Sequence, residues 1–111
     1  MKRFRFDTGH PISAFGSDGV QAAFICEPAG KSRTIAMTIA PGGHIGRHPA
    51  VTQQLFLVVR GKGWVSGGDS DREPITAGEG VLWTANEDHA AGSDRGMTAI
   101  IIEGDDLNTR S

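Results

Sequence analysis

Glycine-rich turns interrupt this chain so often that no segment keeps an apolar stripe at helical spacing for three turns. Without such a stripe a helix has no face to bury. Between the turns lie short apolar runs: "VQAAFICE" (20–27), "RTIAMTIA" (33–40), "QQLFLVVR" (53–60), "GWVS" (63–66), "EPIT" (73–76), "GVLWT" (80–84) and "MTAIIIE" (97–103). The separators "GSDG", "PGG", "GKG", "GGDSD" and "SDRG" have hairpin chemistry. Glycine supplies positive φ there, and Asp and Ser close local side-chain to backbone hydrogen bonds. In the run 33–40, Ile35, Met37 and Ile39 alternate with Thr34, Ala36 and Thr38, the period of a half-buried strand. The expectation is an all-β sandwich or barrel. Runs 53–60 and 97–103 are apolar on both faces, so one face is expected to line an interior and the other to pack on a second sheet or a partner subunit, which points to a homodimer.

At 111 residues the chain suits one domain, 1–111, large enough to bury a core. The polar tail 104–111, "GDDLNTRS", is expected to fray. The formal net charge is -2 with both signs interspersed, so there is no basic stripe to neutralise phosphates and nucleic acid is not expected as a partner. The start "MKRFRFDTGH" is followed by no apolar stretch and Cys26 has no second cysteine to pair with. Neither secretion nor a membrane span is expected, and the chain is placed in the cytoplasm. Cys26 reads as a small buried filler, since no basic residue adjoins it in sequence.

The stretch "GGHIGRHPAVTQQLFLVVRG" (42–61) then carries the chemistry. It resembles the first motif of the cupin family, in which a His-x-His pair is followed by a glutamate and, after six intervening residues, a glycine. Gln54 followed by six residues and Gly61 fits the end of that motif, and His48 falls on the second histidine. Gly46 stands where the first histidine would be, and glutamine replaces glutamate. The second motif runs Gly, five residues, Pro-x-Gly, two residues, His, three residues, Asn. Gly78, Thr84, Asn86, His89 and Ser93 fall on its positions, with the glycine and the histidine keeping their identity. The resemblance covers about residues 33 to 103, with 62–77 between the motifs.

That resemblance implies a cupin-type antiparallel β-barrel, a double-sheet jelly roll, with a pocket lined by His48, Gln54, Phe56, Trp83 and His89. His48, Gln54 and His89 would hold a divalent transition metal such as Fe, Mn, Ni, Cu or Zn, and Phe56 and Trp83 would contact a small organic ligand, with ordinary core packing an equally open reading of Trp83. Imidazole suits all of these ions, whereas an amide in place of a carboxylate removes charge and weakens the site. Gln54 is preferred over Gln53 because it shares strand parity with Phe56 and Val58, although a bulge would reverse that choice. His44 has the parity of His48 but lies farther along the strand, and is read as a rim or solvent residue. His10 reads as an exposed loop residue, Trp64 as packing on an outer sheet or a subunit contact, and Glu87 and Asp88 as a solvated turn. Two functions stay open: a metal-dependent enzyme of the dioxygenase or isomerase type, and a non-catalytic binding or sensing domain without metal. The absence of an evident carboxylate ligand or general base leans toward the second.

Overall fold

The computed structural model describes residues 1–109. Among these, ten strands form: β1 (Lys2–Arg5), β2 (His10–Ile12), β3 (Val20–Ala22), β4 (Ala29–Ile39), β5 (Gly43–Pro49), β6 (Gln53–Gly67), β7 (Glu73–Thr76), β8 (Glu79–Trp83), β9 (Asp88–Ser93) and β10 (Met97–Asp106). The fold class is all-β, as expected, and among the described residues no helix is long and apolar enough to cross a membrane.

The strands make two layers joined by one of their members. In the first layer the order is β1-β8-β6-β10-β4, and every pairing is antiparallel. The second layer is built from β7 and β9 on either side of the far half of β6, with β5 beyond β9. β6 is therefore one strand where the sequence suggested two. Its first half pairs with β8 and β10 up to Gly61, and its second half, from Lys62, pairs with β7 and β9. Gly61 marks the crossing. It has φ +79°, and a Cβ there would lie 2.4 Å from the Gly96 carbonyl oxygen, so only glycine fits without moving backbone.

The core lies between the layers, where Phe56, Val58, Val65, Val81, Trp83 and Ile101 are fully buried. On β4, Ile35, Met37 and Ile39 face this core while Thr34, Ala36 and Thr38 are exposed, the alternation that the sequence predicts. The opposite face of β6 is covered within the chain at Leu55 and Leu57, while Val59 remains exposed. Leu55 packs with Leu82 and Leu107, and Phe4, Ile25 and Cys26 close over them. Burial there raises the Cys26 pKa, consistent with a filler thiol.

The structure corrects several local expectations. The run 20–27 pairs only over Val20–Ala22, in a separate two-stranded sheet with β2 that carries exposed His10, and β4 begins at Ala29 rather than Arg33. Residues 2–5 and 88–93 are strands that their polar and small residues concealed. The tail does not fray where it is described: β10 runs to Asp106, Leu107 is 0% exposed, its N–H donates to Gln53 Oε1 at 2.8 Å, and its carbonyl accepts from Glu27 N–H. One apolar side chain in a polar tail is enough to anchor it. The last two residues of the expected tail lie outside the described residues.

Candidate functional site

One cross-sheet row and one histidine pair build the site. In the first layer Arg33 on β4 lies opposite Glu103 on β10, Glu103 lies opposite Gln54 on β6, and Gln54 lies opposite Trp83 on β8. Residues directly opposite in a sheet share a face, so a cation, a carboxylate, an amide and an indole stand in line across four strands. The second layer brings the histidines. His48 on β5 is paired with His89 on β9, below a register shift that falls between Ile45 and His48.

These residues meet at a cavity of about 260 Å³. Its polar wall is Arg33, His48, Gln54, His89 and Glu103, and its rim is the turn from Pro49 to Thr52. The turn is held by Ala50, whose N–H donates to the Glu87 carbonyl and whose carbonyl accepts from Asn86 N–H. Asn86 occupies the position where the second motif has glycine, and it adopts φ +69°. Asparagine is among the few residues other than glycine that tolerate this region, so the local backbone survives the replacement.

The histidine rings are 4.4 Å apart, centroid to centroid, and tilted by 54°. His48 Nδ1 lies 2.7 Å from the Gly46 carbonyl oxygen, and His89 Nδ1 lies 3.3 Å from the Glu87 carbonyl oxygen. A carbonyl only accepts, so each neutral ring carries its proton on Nδ1 and leaves a lone pair on Nε2. His89 is 3% exposed. Burial lowers its pKa below the usual 6.5; the Glu87 carbonyl contact opposes this and neighbouring His48 adds to it.

Behind His89 the site passes into the core. Trp83 stacks on His89 with centroids 4.4 Å apart, and Phe56 follows Trp83 at 5.5 Å. Trp83 is 1% exposed and Phe56 is fully buried, and neither belongs to the cavity wall. Trp83 backs the His89 ring and Phe56 backs Trp83, behind the surface that a ligand would meet. Trp83 Nε1 is buried without a hydrogen-bond partner among the described residues. Glu87 is drawn in beside it, accepting from Thr84 N–H and from the Met1 amino group. Burial alone would raise the Glu87 pKa, but these hydrogen bonds and the adjacent positive charge outweigh it and the value is lowered.

The structure separates the alternatives left open by the sequence. Gln54 lines the cavity, whereas Gln53 accepts from Leu107 N–H on the other face. His44 is exposed, opposite Gly92, and outside the cavity wall. Asp88 begins β9 rather than sitting in a turn. Trp64 rests on Gly92, where a Cβ would come within 2.6 Å of the indole, and carries the Arg72 guanidinium 3.9 Å from its ring centroid. Arg33 and Glu103 escaped the sequence reading. Their signal was parity: Arg33 continues the inward row of Ile35, Met37 and Ile39, and Glu103 that of Met97, Ala99 and Ile101. A charge ending an inward row marks a polar cavity at the end of a core.

No protein-family model matches the sequence, and no curated protein matches it either. Solved structures do match. An RmlC-like cupin family protein with a double-stranded β-helix fold from Methanocaldococcus jannaschii is 8% identical, with a TM-score of 0.63 over 72% of this chain and 75% of that one. A cupin 2 conserved barrel domain protein from Salinispora arenicola is 20% identical, with a TM-score of 0.61 over 67% of this chain and 63% of that one. A predicted oxalate decarboxylase from Thermotoga maritima is 20% identical, with a TM-score of 0.60 over 65% of each chain. These likenesses define the class: the chain has the cupin fold, a small double-stranded β-helix. At such identities they speak for the fold alone.

Proposed function

We propose that the cavity binds a divalent transition-metal ion through His48, His89 and Gln54, and through that ion a small organic ligand. The observation that supports this is the pair of pinned imidazoles. A ligating histidine characteristically donates its second ring N–H to a carbonyl or carboxylate, which fixes tautomer and orientation, and both rings here have such a partner. The donor set fits a weak site rather than a tight one. Among the described residues no three His, Cys, Asp or Glu side chains are grouped to hold a metal, so the third donor is the neutral amide oxygen of Gln54. Two imidazoles and an amide favour the late first-row ions, Ni²⁺, Cu²⁺ and Zn²⁺, over Mn²⁺ and Fe²⁺.

Such an ion, when bound, would act as a Lewis acid toward an oxygen of the ligand, the chemistry that an enzyme of the dioxygenase or isomerase type would draw on. The chain's own residues bind and orient. Arg33 and Glu103 stand at one wall of the cavity for a polar group of the ligand, and the rim from Pro49 to Thr52 supplies apolar contact. A second reading, a non-catalytic binding or sensing domain without metal, is favoured by the missing third charged ligand. In that reading the two Nε2 atoms accept hydrogen bonds from the ligand directly.

Calorimetric titration with Ni²⁺ and Zn²⁺ of untagged protein decides between them. Binding that is lost in His48→Ala and in His89→Ala and kept in His44→Ala is the expected result. Equal uptake by all of these variants would reduce the ions to surface decoration and leave the metal-free reading.

A further inference from the structure

We infer that Glu103 is the positioning residue of this site, returning across the β6–β10 ladder the negative charge that position 54 lacks. This rests on the metal-binding reading above and names the residue that makes a neutral third donor workable.

Three observations carry it. Gln54 and Glu103 are direct register partners, so their side chains leave the sheet on the same face and line the same cavity. Gln54 Nε2 donates to Glu103 Oε1 at 3.2 Å. Glu103 Oε2 accepts from Arg33 Nη2 at 3.0 Å, and the Arg33 side chain is 71% exposed against 28% for Glu103.

The first consequence is orientation. A glutamine side chain can present either its oxygen or its NH₂, but an ionised carboxylate only accepts. Glu103 therefore holds the NH₂ of Gln54 and leaves Oε1 as the atom free to meet a cation. A Gln54 turned the other way would set two oxygens against each other. The second consequence is charge. Glu103 is not grouped with the histidines as a ligand, yet its carboxylate lies along the same cavity wall, partly withdrawn from water, where a negative charge attracts a cation more strongly than at an open surface. Arg33 works against this attraction. Because its guanidinium is largely solvated, it neutralises Glu103 only in part.

The pair is also an exchange of chemical types. An amide at 54 beside a carboxylate at 103 has the same total charge as a carboxylate at 54 beside an amide at 103, and either order allows one amide-to-carboxylate hydrogen bond, with donor and acceptor exchanged. The double variant Gln54→Glu/Glu103→Gln is therefore expected to fold and to bind, whereas each single change upsets the pair in its own way.

The test is calorimetric titration with Ni²⁺, paired with thermal melting of the metal-free protein, on wild type, Glu103→Gln, Gln54→Glu/Glu103→Gln, Arg33→Met and His48→Ala. Glu103→Gln should bind roughly tenfold more weakly, the size expected for loss of one nearby, partly neutralised charge. The double variant should recover wild-type affinity or exceed it, and Arg33→Met should bind several-fold more tightly. A merely structural Glu103 would lower the melting temperature in Glu103→Gln and leave the Ni²⁺ affinity where it was, which overturns the inference. A double variant as weak as Glu103→Gln overturns it too. If His48→Ala binds like wild type, or wild type takes up no Ni²⁺, the metal-binding reading itself fails and the inference falls with it. If His48→Ala loses binding while Glu103→Gln and Arg33→Met match wild type, that reading stands and only the role of Glu103 is refuted.

Discussion

His48 and His89 occupy one rung of the β5–β9 ladder, yet His48 is open to solvent while His89 is buried between it and Trp83. The two should therefore contribute unequally to stability. Removing the His89 ring leaves a void against Trp83, and His89→Ala is expected to lose about 2 kcal/mol or more. His48→Ala, at the surface, should lose less than about 1 kcal/mol. Urea denaturation of both variants checks this, and equal losses would mean that the rings are packed as one unit.

The same asymmetry sets a pH dependence. Burial lowers the His89 pKa below 6.5, so in the folded state the ring resists the proton that the unfolded chain accepts. Stability from this group is complete above the unfolded pKa of 6.5 and is lost as pH falls from there toward the lower folded value. Thermal melts between pH 7.5 and pH 5 should show a decline in wild type that is smaller in His89→Gln. An unchanged slope in that variant would assign the decline to other groups.

Gly61 should tolerate no side chain. Gly61→Ala places a Cβ 2.4 Å from the Gly96 carbonyl oxygen at φ +79° and is expected to lose about 2 to 4 kcal/mol. Gly46→Ala is the control, because a Cβ there meets nothing within 4 Å, and it should stay within about 1 kcal/mol of wild type. Chemical denaturation of the two compares them directly.

Leu107 should behave as a core residue despite its polar neighbours. Leu107→Ala opens a space beneath Leu55 and Leu82 and is expected to lose about 2 to 4 kcal/mol. A loss below about 0.5 kcal/mol, measured by urea denaturation, would show that the tail is not anchored in solution.

Self-association is expected, with a homodimer as the simplest form. The reason shifts from the one read in the sequence, since the second face of Leu55 is covered within the chain. Exposed apolar residues include Ile12, Val20 and the fully exposed Phe15 on and beside the β2–β3 arm, besides Val59 on β6 and Val51 at the cavity rim. Sedimentation equilibrium at micromolar concentration should show a dimer that Phe15→Asp shifts toward monomer. A wild-type monomer removes the expectation.

The parts of this fold legible in sequence were those governed by alternation. The inward row of β4 and the parity of Gln54 follow from a period of two, whereas His48 and His89 were found through the resemblance to the two cupin motifs. Hidden parts depend on contacts distant along the chain. "DHAAGS" has no apolar signal and becomes β9 because β5 and β6 flank it on either side. The break at "GKG" looked like a turn between two strands, since glycine is equally suited to a hairpin and to a bend in one continuous strand. Arg33 and Glu103 were missed because charges in strand-like runs are ordinarily read as solvent-facing, and only their register with Gln54 shows what they adjoin.

The crossing of β6 from one layer to the other has a mechanical meaning. Its first half carries Gln54 and pairs with the strand bearing Glu103, and its second half pairs with the strand bearing His89. Neither wall of the cavity can peel away without pulling on the same backbone. Slow amide hydrogens on both halves of β6 should thus exchange together, at the rate of global opening, and the pocket should have no breathing mode of its own along this seam. A ligand then meets a cavity whose sheets stay closed, and its way in is the side already open to solvent, past His48, Arg33 and the rim from Pro49 to Thr52.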